Sequence, residues 1–163
     1  IAIGIIGRLV PIKNQALFLR AAALLQKQSA KKLRFFLIGD GEDRKLLLHL
    51  CQELGLDHTY FPDDARKSVV TFCSWIHEVD VAISGLDIVA LTSLNEGTPV
   101  SLIEAQAGNK PIVSTRVGGI ENIVIAGETA LLVENFNEKD FSNKLLMIIN
   151  DSDLKNKMKK GPR

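Results

Sequence analysis

The chain has 163 residues, with 20 basic and 19 acidic side chains, a net charge of +1 and a hydrophobic content of 46%. One domain's length with balanced charge excludes a general nucleic-acid or membrane-surface binder, which carries a basic excess. Two cysteines, Cys51 and Cys73, and three scattered histidines offer neither a disulfide framework nor zinc-ligand spacing, and suggest a reducing compartment.

In chain order, short β-rich runs alternate with longer helical ones. Residues 1–6 read as a buried strand and 14–28 as a helix; 33–38 is a strand, and 42–54 a helix that stops at Gly55. Residues 56–68 read as a solvated loop. They lead to a strand at 69–72, a helix at 75–84 and a strand at 87–92. A helix follows from Pro99 to Ala107, then a strand at 111–115, a short helix at 118–126 and a last strand at 129–133. Residues 138–150 and 152–160 close the chain as helices, and the basic cluster Lys155, Lys157, Lys159, Lys160 and Arg163 reads as a solvated helix end. No apolar run approaches the ~18 residues of a membrane span, and no signal peptide is visible. Ile1 lies inside an apolar run without an initiator Met, and the chain ends abruptly in Gly161-Pro162-Arg163; a piece of a longer protein is expected.

Six strands alternating with helices, several apolar on both faces, predict an α/β fold: a three-layer αβα, Rossmann-like, doubly wound parallel sheet. Such sheets bind ligands outside the carboxyl ends of their strands. The turns found there are "GRLVPIKN" after Ile6, "GDGEDR" after Ile38, "SLNEGTP" after Thr92 and "RVGG" after Thr115. Glycine permits close approach of backbone amides, and helix N-termini offer free N–H groups to an anion. Tight strand-to-helix turns need glycine anyway, so each loop alone is ambiguous. Together, with Arg8 and Lys13 in the first, they favour a phosphorylated ligand.

Glu96 stands before the helix that begins at Pro99, and Glu104 within it. Val100, Ile103, Glu104 and Ala107 share one stripe of that helix, which is apolar enough to be expected mostly buried. A buried carboxylate needs partners, and both glutamates are expected to face one crevice and accept hydrogen bonds from paired hydroxyls of a sugar or ribose. The bland reading makes Glu104 an edge residue bonded to nearby backbone. Paired carboxylates also serve glycoside hydrolases, but those enzymes have no need of phosphate-cradling loops.

The ordered set "GRLVPIKN", "EGTPVSLIEAQ" with its E-x7-E spacing, "KPIVSTRVGG" and "GETALLV" resembles the C-terminal, nucleotide-sugar-binding domain of retaining glycosyltransferases of the GT-B fold, glycosyltransferase family 4. The similarity runs over roughly residues 3–150. It implies that residues 1–163 are the donor-binding half of a GT-B enzyme whose N-terminal acceptor domain lies outside this sequence, so that the chain alone does not transfer sugar. By the same resemblance Arg8 and Lys13 bind the donor diphosphate and Glu96 contacts hydroxyls of the transferred sugar. Gly97, Thr98 and Val100 present amides to sugar and pyrophosphate. Glu104 takes the ribose hydroxyls, Trp75 borders the base pocket, and Gly7, Gly39 and Gly41 let the first two loops pass close to the nucleotide. No cofactor and no metal are implied, since cationic side chains take the part of a divalent ion. The donor is a nucleoside-diphosphate sugar, UDP- or GDP-linked, the setting polysaccharide biosynthesis, the location cytoplasmic or peripheral to a membrane. Two departures stand out: Ser74 where the family usually has glycine, and Asn109 where glycine precedes Lys-Pro. Asn109 is expected to cap its helix in the left-handed conformation. A nucleotide-sugar epimerase of similar architecture and a non-catalytic nucleotide-sugar-binding module are the alternative readings.

Overall fold

The structure, a computed structural model, describes residues 1–160; Arg163 of the basic cluster lies outside them. Seven strands form one sheet: β1 (Ala2–Ile6), β2 (Arg34–Ile38), β3 (His58–Tyr60), β4 (Val70–Phe72), β5 (Ile88–Leu91), β6 (Ile112–Thr115) and β7 (Ala130–Val133). Their spatial order is β3-β4-β2-β1-β5-β6-β7, and every neighbouring pair is parallel. Six helices cover the two faces: α1 (Gln15–Gln28), α2 (Arg44–Glu53), α3 (Val79–Ser84), α4 (Val100–Ala107), α5 (Glu138–Asn150) and α6 (Ser152–Lys160). The three-layer, Rossmann-like fold expected from the sequence is the fold observed.

Alternate residues of a strand point to opposite faces, and β5 divides its side chains accordingly. Ile88 and Ala90 enter the core under α1, α2 and α5, with Phe18, Phe35, Phe72 and Phe141. Val89 and Leu91 enter the other, with Leu102 and Ala105 of α4. All four are buried, which is why the central strands read as unbroken apolar runs.

Four expectations are corrected. The sheet has seven strands, not six, because residues 56–68 contain the edge strand β3, whose Thr59 hydroxyl meets Ser68 Oγ at 2.8 Å in a buried contact. The helix expected from residue 75 begins only at Val79, and Trp75 lies in the loop before it. Residues 118–126 give a 3-10 turn, Gly118–Asn122, in place of a short α-helix. The basic end of α6 is not wholly solvated, since Lys155 Nζ donates to Asp87 Oδ1 at 2.8 Å. Among the described residues no helix is long and apolar enough to cross a membrane.

Candidate functional site

β1 and β5 lie side by side at the centre of the sheet, where the strand order changes direction, so their carboxyl-end loops meet. The Thr92 hydroxyl donates to the Lys13 carbonyl at 2.9 Å, and the Leu94 amide to the Ile12 carbonyl at 2.8 Å. These ties bring Lys13 Nζ to 2.5 Å from Glu96 Oε1, an ion pair across 83 positions of sequence. Glu96 keeps only 8% of its side chain exposed. Ser93 Oγ donates to the same Oε1 at 2.5 Å, while Oε2 has no hydrogen-bond partner among the described residues.

The loop after β6 supports this pair from behind. The Gly119 amide donates to the Glu96 carbonyl at 3.0 Å, and Thr115 Oγ1 to the Ser93 carbonyl at 2.7 Å. Gly118 adopts φ 53°, and a Cβ there would overlap the Glu96 carbonyl oxygen. The glycines of "RVGG" are thus required by loop-on-loop packing. Much the same holds for the second loop: a Cβ on Gly39 would strike the Gly7 carbonyl and one on Gly41 the Leu9 carbonyl. What those two glycines admit in this structure is the first loop.

Gln15, buried at the start of α1, donates from Nε2 to the Arg8 carbonyl at 2.7 Å and so holds the first loop. The exposed Arg8 side chain forms no ion pair among the described residues. It lines an open cleft of about 370 Å³ together with Asp40, Gly41, Arg44 and Trp75. Arg44 is held there by Asp40 at 2.7 Å and by the Tyr60 hydroxyl at 2.9 Å, its guanidinium 4.4 Å from the centre of the Tyr60 ring. Trp75 is 55% exposed, an aromatic face available for stacking. Before it, Ser74 sits at φ 58° and its carbonyl accepts from the Gly39 amide at 2.8 Å. A left-handed position explains why glycine suits this place; serine occupies it at a cost of roughly 1 kcal/mol. Asn109 is also left-handed, at φ 54°, as its capping position required.

α4 differs from expectation. Only Leu102 and Ala105 of the helix are buried, whereas Val100 is 61% and Ile103 45% exposed. The stripe carrying Glu104 therefore faces outward. Glu104 lines an open groove of about 390 Å³ between α3 and α4, with Asp80, Ile83, Ser84, Ala107, Gly108 and Lys110. Its carboxylate has no hydrogen-bond partner among the described residues, so it is neither bonded to neighbouring backbone nor gathered into one cavity with Glu96. At the start of the helix the amides of Gly97, Thr98 and Val100 find no acceptor among the described residues. Pro99, the N-cap, has no N–H to offer.

Burial pushes Cys51 up to about 12; burial, partly offset by nearby Arg34, takes Cys73 to about 11, so both stay protonated at neutral pH. The residues that sequence reading passed over are Ser93, Thr115, Gln15, Asp40, Arg44 and Tyr60. For Ser93 a signal existed: a hydroxyl residue at a strand's carboxyl end, three positions before the glutamate.

The family model described as glycosyl transferases group 1 matches residues 1–163. Among curated relatives, the D-inositol 3-phosphate glycosyltransferase of Stackebrandtia nassauensis is 30% identical over 162 aligned residues, 93% of this chain and 34% of the relative. Its namesake from Corynebacterium jeikeium is 31% identical over 159 residues, 94% of this chain and 36% of that protein. The chain spans about a third of the length of these relatives. Among solved structures, the C-terminal domain of the glycosyl transferase group 1 family protein LpcC from Francisella tularensis superposes with a TM-score of 0.82 at 27% identity, covering 98% of this chain and 80% of that one. Anabaena HepE in complex with UDP-glucose gives a TM-score of 0.84 over 98% of this chain and 42% of its own; at 24% identity this likeness speaks for the fold.

Proposed function

The chain belongs to the glycosyl transferases group 1 family, and from that premise we propose that it is the donor-binding domain of a retaining, hexosyl-transferring glycosyltransferase. One observation carries the reading. At the carboxyl ends of the adjacent central strands β1 and β5, a locked Lys13–Glu96 pair stands beside backbone amides and an Arg8 side chain that have no partner among the described residues.

The donor is a nucleoside-diphosphate sugar, UDP- or GDP-linked. Arg8 and the amides of Gly97, Thr98 and Val100 take the diphosphate. Lys13 joins them, because an ammonium has three N–H donors and only one goes to Glu96. Glu96 Oε2 accepts from hydroxyls of the sugar, Glu104 from the ribose, and Trp75 with Gly41 borders the base. When the bond between the anomeric carbon and the phosphate oxygen breaks, its electron pair passes to the diphosphate, and the fixed cations and amides stabilise that charge. The acceptor oxygen then bonds to the anomeric carbon on the same face, and its proton passes to the departing diphosphate oxygen. The acceptor site is assigned to another part of a longer cytoplasmic protein, so the 163-residue chain alone is inactive.

The stereochemistry is the test. The longer parent, supplied with UDP- or GDP-sugar and acceptor, is expected to give a product whose anomeric configuration, read by NMR coupling, matches the donor. An inverted product would refute the retaining mechanism, and altered sugar released without acceptor would point to an epimerase instead.

A further inference from the structure

The Ser93 side chain is fully buried, and its hydroxyl donates to the carboxylate oxygen that also receives Lys13. A buried hydroxyl needs some acceptor, yet the choice of Oε1 has a consequence. Two strong donors saturate one oxygen of Glu96 and fix the carboxylate plane, and Oε2 alone is left for a ligand. Hydrogen bonds to a charged group are short and strong, so the rotamer is held by two donors, one from the loop after β5 and one from the loop after β1.

We infer that Ser93 is a positioning residue for sugar recognition: it holds Glu96 so that Oε2, and only Oε2, accepts a hydroxyl of the sugar carried by the nucleotide. This rests on the donor-site reading above. The alternative, a hydroxyl that merely keeps the loop in place, is weakened by the backbone ties already described. The Ser93 carbonyl is held by Thr115, and the residues on either side, Thr92 and Leu94, are tied to Lys13 and Ile12. None of these uses the Ser93 side chain.

The test separates sugar from nucleotide. Binding of UDP, UDP-glucose, GDP and GDP-mannose to the 163-residue chain is measured by calorimetry for the natural sequence, for Ser93→Ala and for Ser93→Cys. The cysteine variant leaves no cavity and replaces a strong donor by a weak one. The matching nucleotide sugar is expected to lose roughly tenfold or more in affinity in both variants, as for a lost hydrogen bond to a charged group, while the free diphosphate changes less than about twofold. Equal losses for diphosphate and nucleotide sugar would make Ser93 structural only, and no loss in either would remove its role; both overturn the inference. A natural chain that binds a diphosphate no more weakly than its sugar conjugate would show that Glu96 does not meet the sugar, and would overturn it too. If the natural chain binds none of the four, the donor-site reading itself falls, a separate result that takes the inference with it.

Discussion

Glu96 and Glu104 stand eight positions apart in one motif, yet the structure treats them oppositely. Glu96, in the loop after β5, is nearly buried, paired with Lys13 and bonded to Ser93. Glu104, on the outward stripe of α4, is half-buried and has no side-chain partner among the described residues. An acceptor held in place before its ligand arrives loses little freedom on binding, whereas a free one must be ordered by the ligand. On the proposed reading, the fixed carboxylate meets the reacting sugar, where geometry decides rate, and the free one meets a hydroxyl pair that only anchors.

The largest effect is expected at the locked site. Glu96→Gln in the parent enzyme should lower kcat by at least about a hundredfold, on the scale of losing one preorganised electrostatic contact, with little change in the Kd for free diphosphate. Unchanged turnover would erase the contrast between the two glutamates. Next, Gly118→Ala forces a side chain into a left-handed position against the Glu96 carbonyl. It should cost more than about 2 kcal/mol in a urea melt; a neutral result would mean that the Glu96 loop is not held from behind.

A smaller effect is expected from Glu104→Gln, which should weaken diphosphate binding by roughly threefold to tenfold and leave Tm unchanged, because its carboxylate has no partner among the described residues. A drop in Tm would show that Glu104 is structural after all. The smallest belongs to a carboxylate at the opposite end of β5. Burial raises the Asp87 pKa, but hydrogen bonds from Lys155 and the Ala2 amide, with the Lys155 charge, outweigh it and hold the group below its ordinary value. Its stabilisation is therefore complete above the ordinary carboxylate range and is lost as pH falls through the lowered value. Asp87→Asn should narrow the difference in urea midpoint between neutral and acid pH without touching ligand binding. A binding defect in that variant would mean that the two ends of β5 are coupled.

The order of strands and helices was legible because the central strands are apolar on both faces and the amphipathic helices carry their own period. β3 was not: three residues, His58–Tyr60, at a sheet edge surrounded by Asp and Pro carry no apolar run to read. The exposure of Val100 and Ile103 was hidden for the converse reason, since apolar residues on an outward stripe of a helix look in sequence like core residues. Arg8, Lys13 and Glu96 were visible as candidates through the loop positions and the family motif. That Lys13 and Glu96 touch depends on β5 lying beside β1, a pairing between strands distant in sequence that no local pattern encodes. Arg44 was legible only in part: its i,i+4 partner Asp40 stands in the same loop, but its other support, Tyr60, belongs to the edge strand that the sequence does not reveal.

The central claim, a nucleoside diphosphate at the carboxyl ends of β1 and β5, is tested most directly by titrating the isotope-labelled chain with UDP, GDP and ADP and following backbone amides by NMR. One of the three should shift Arg8, Lys13, Gly97, Thr98 and Val100 together, with an affinity on the order of millimolar. Shifts confined to the far end of the sheet around Asp87, or none with any of the three, would contradict it.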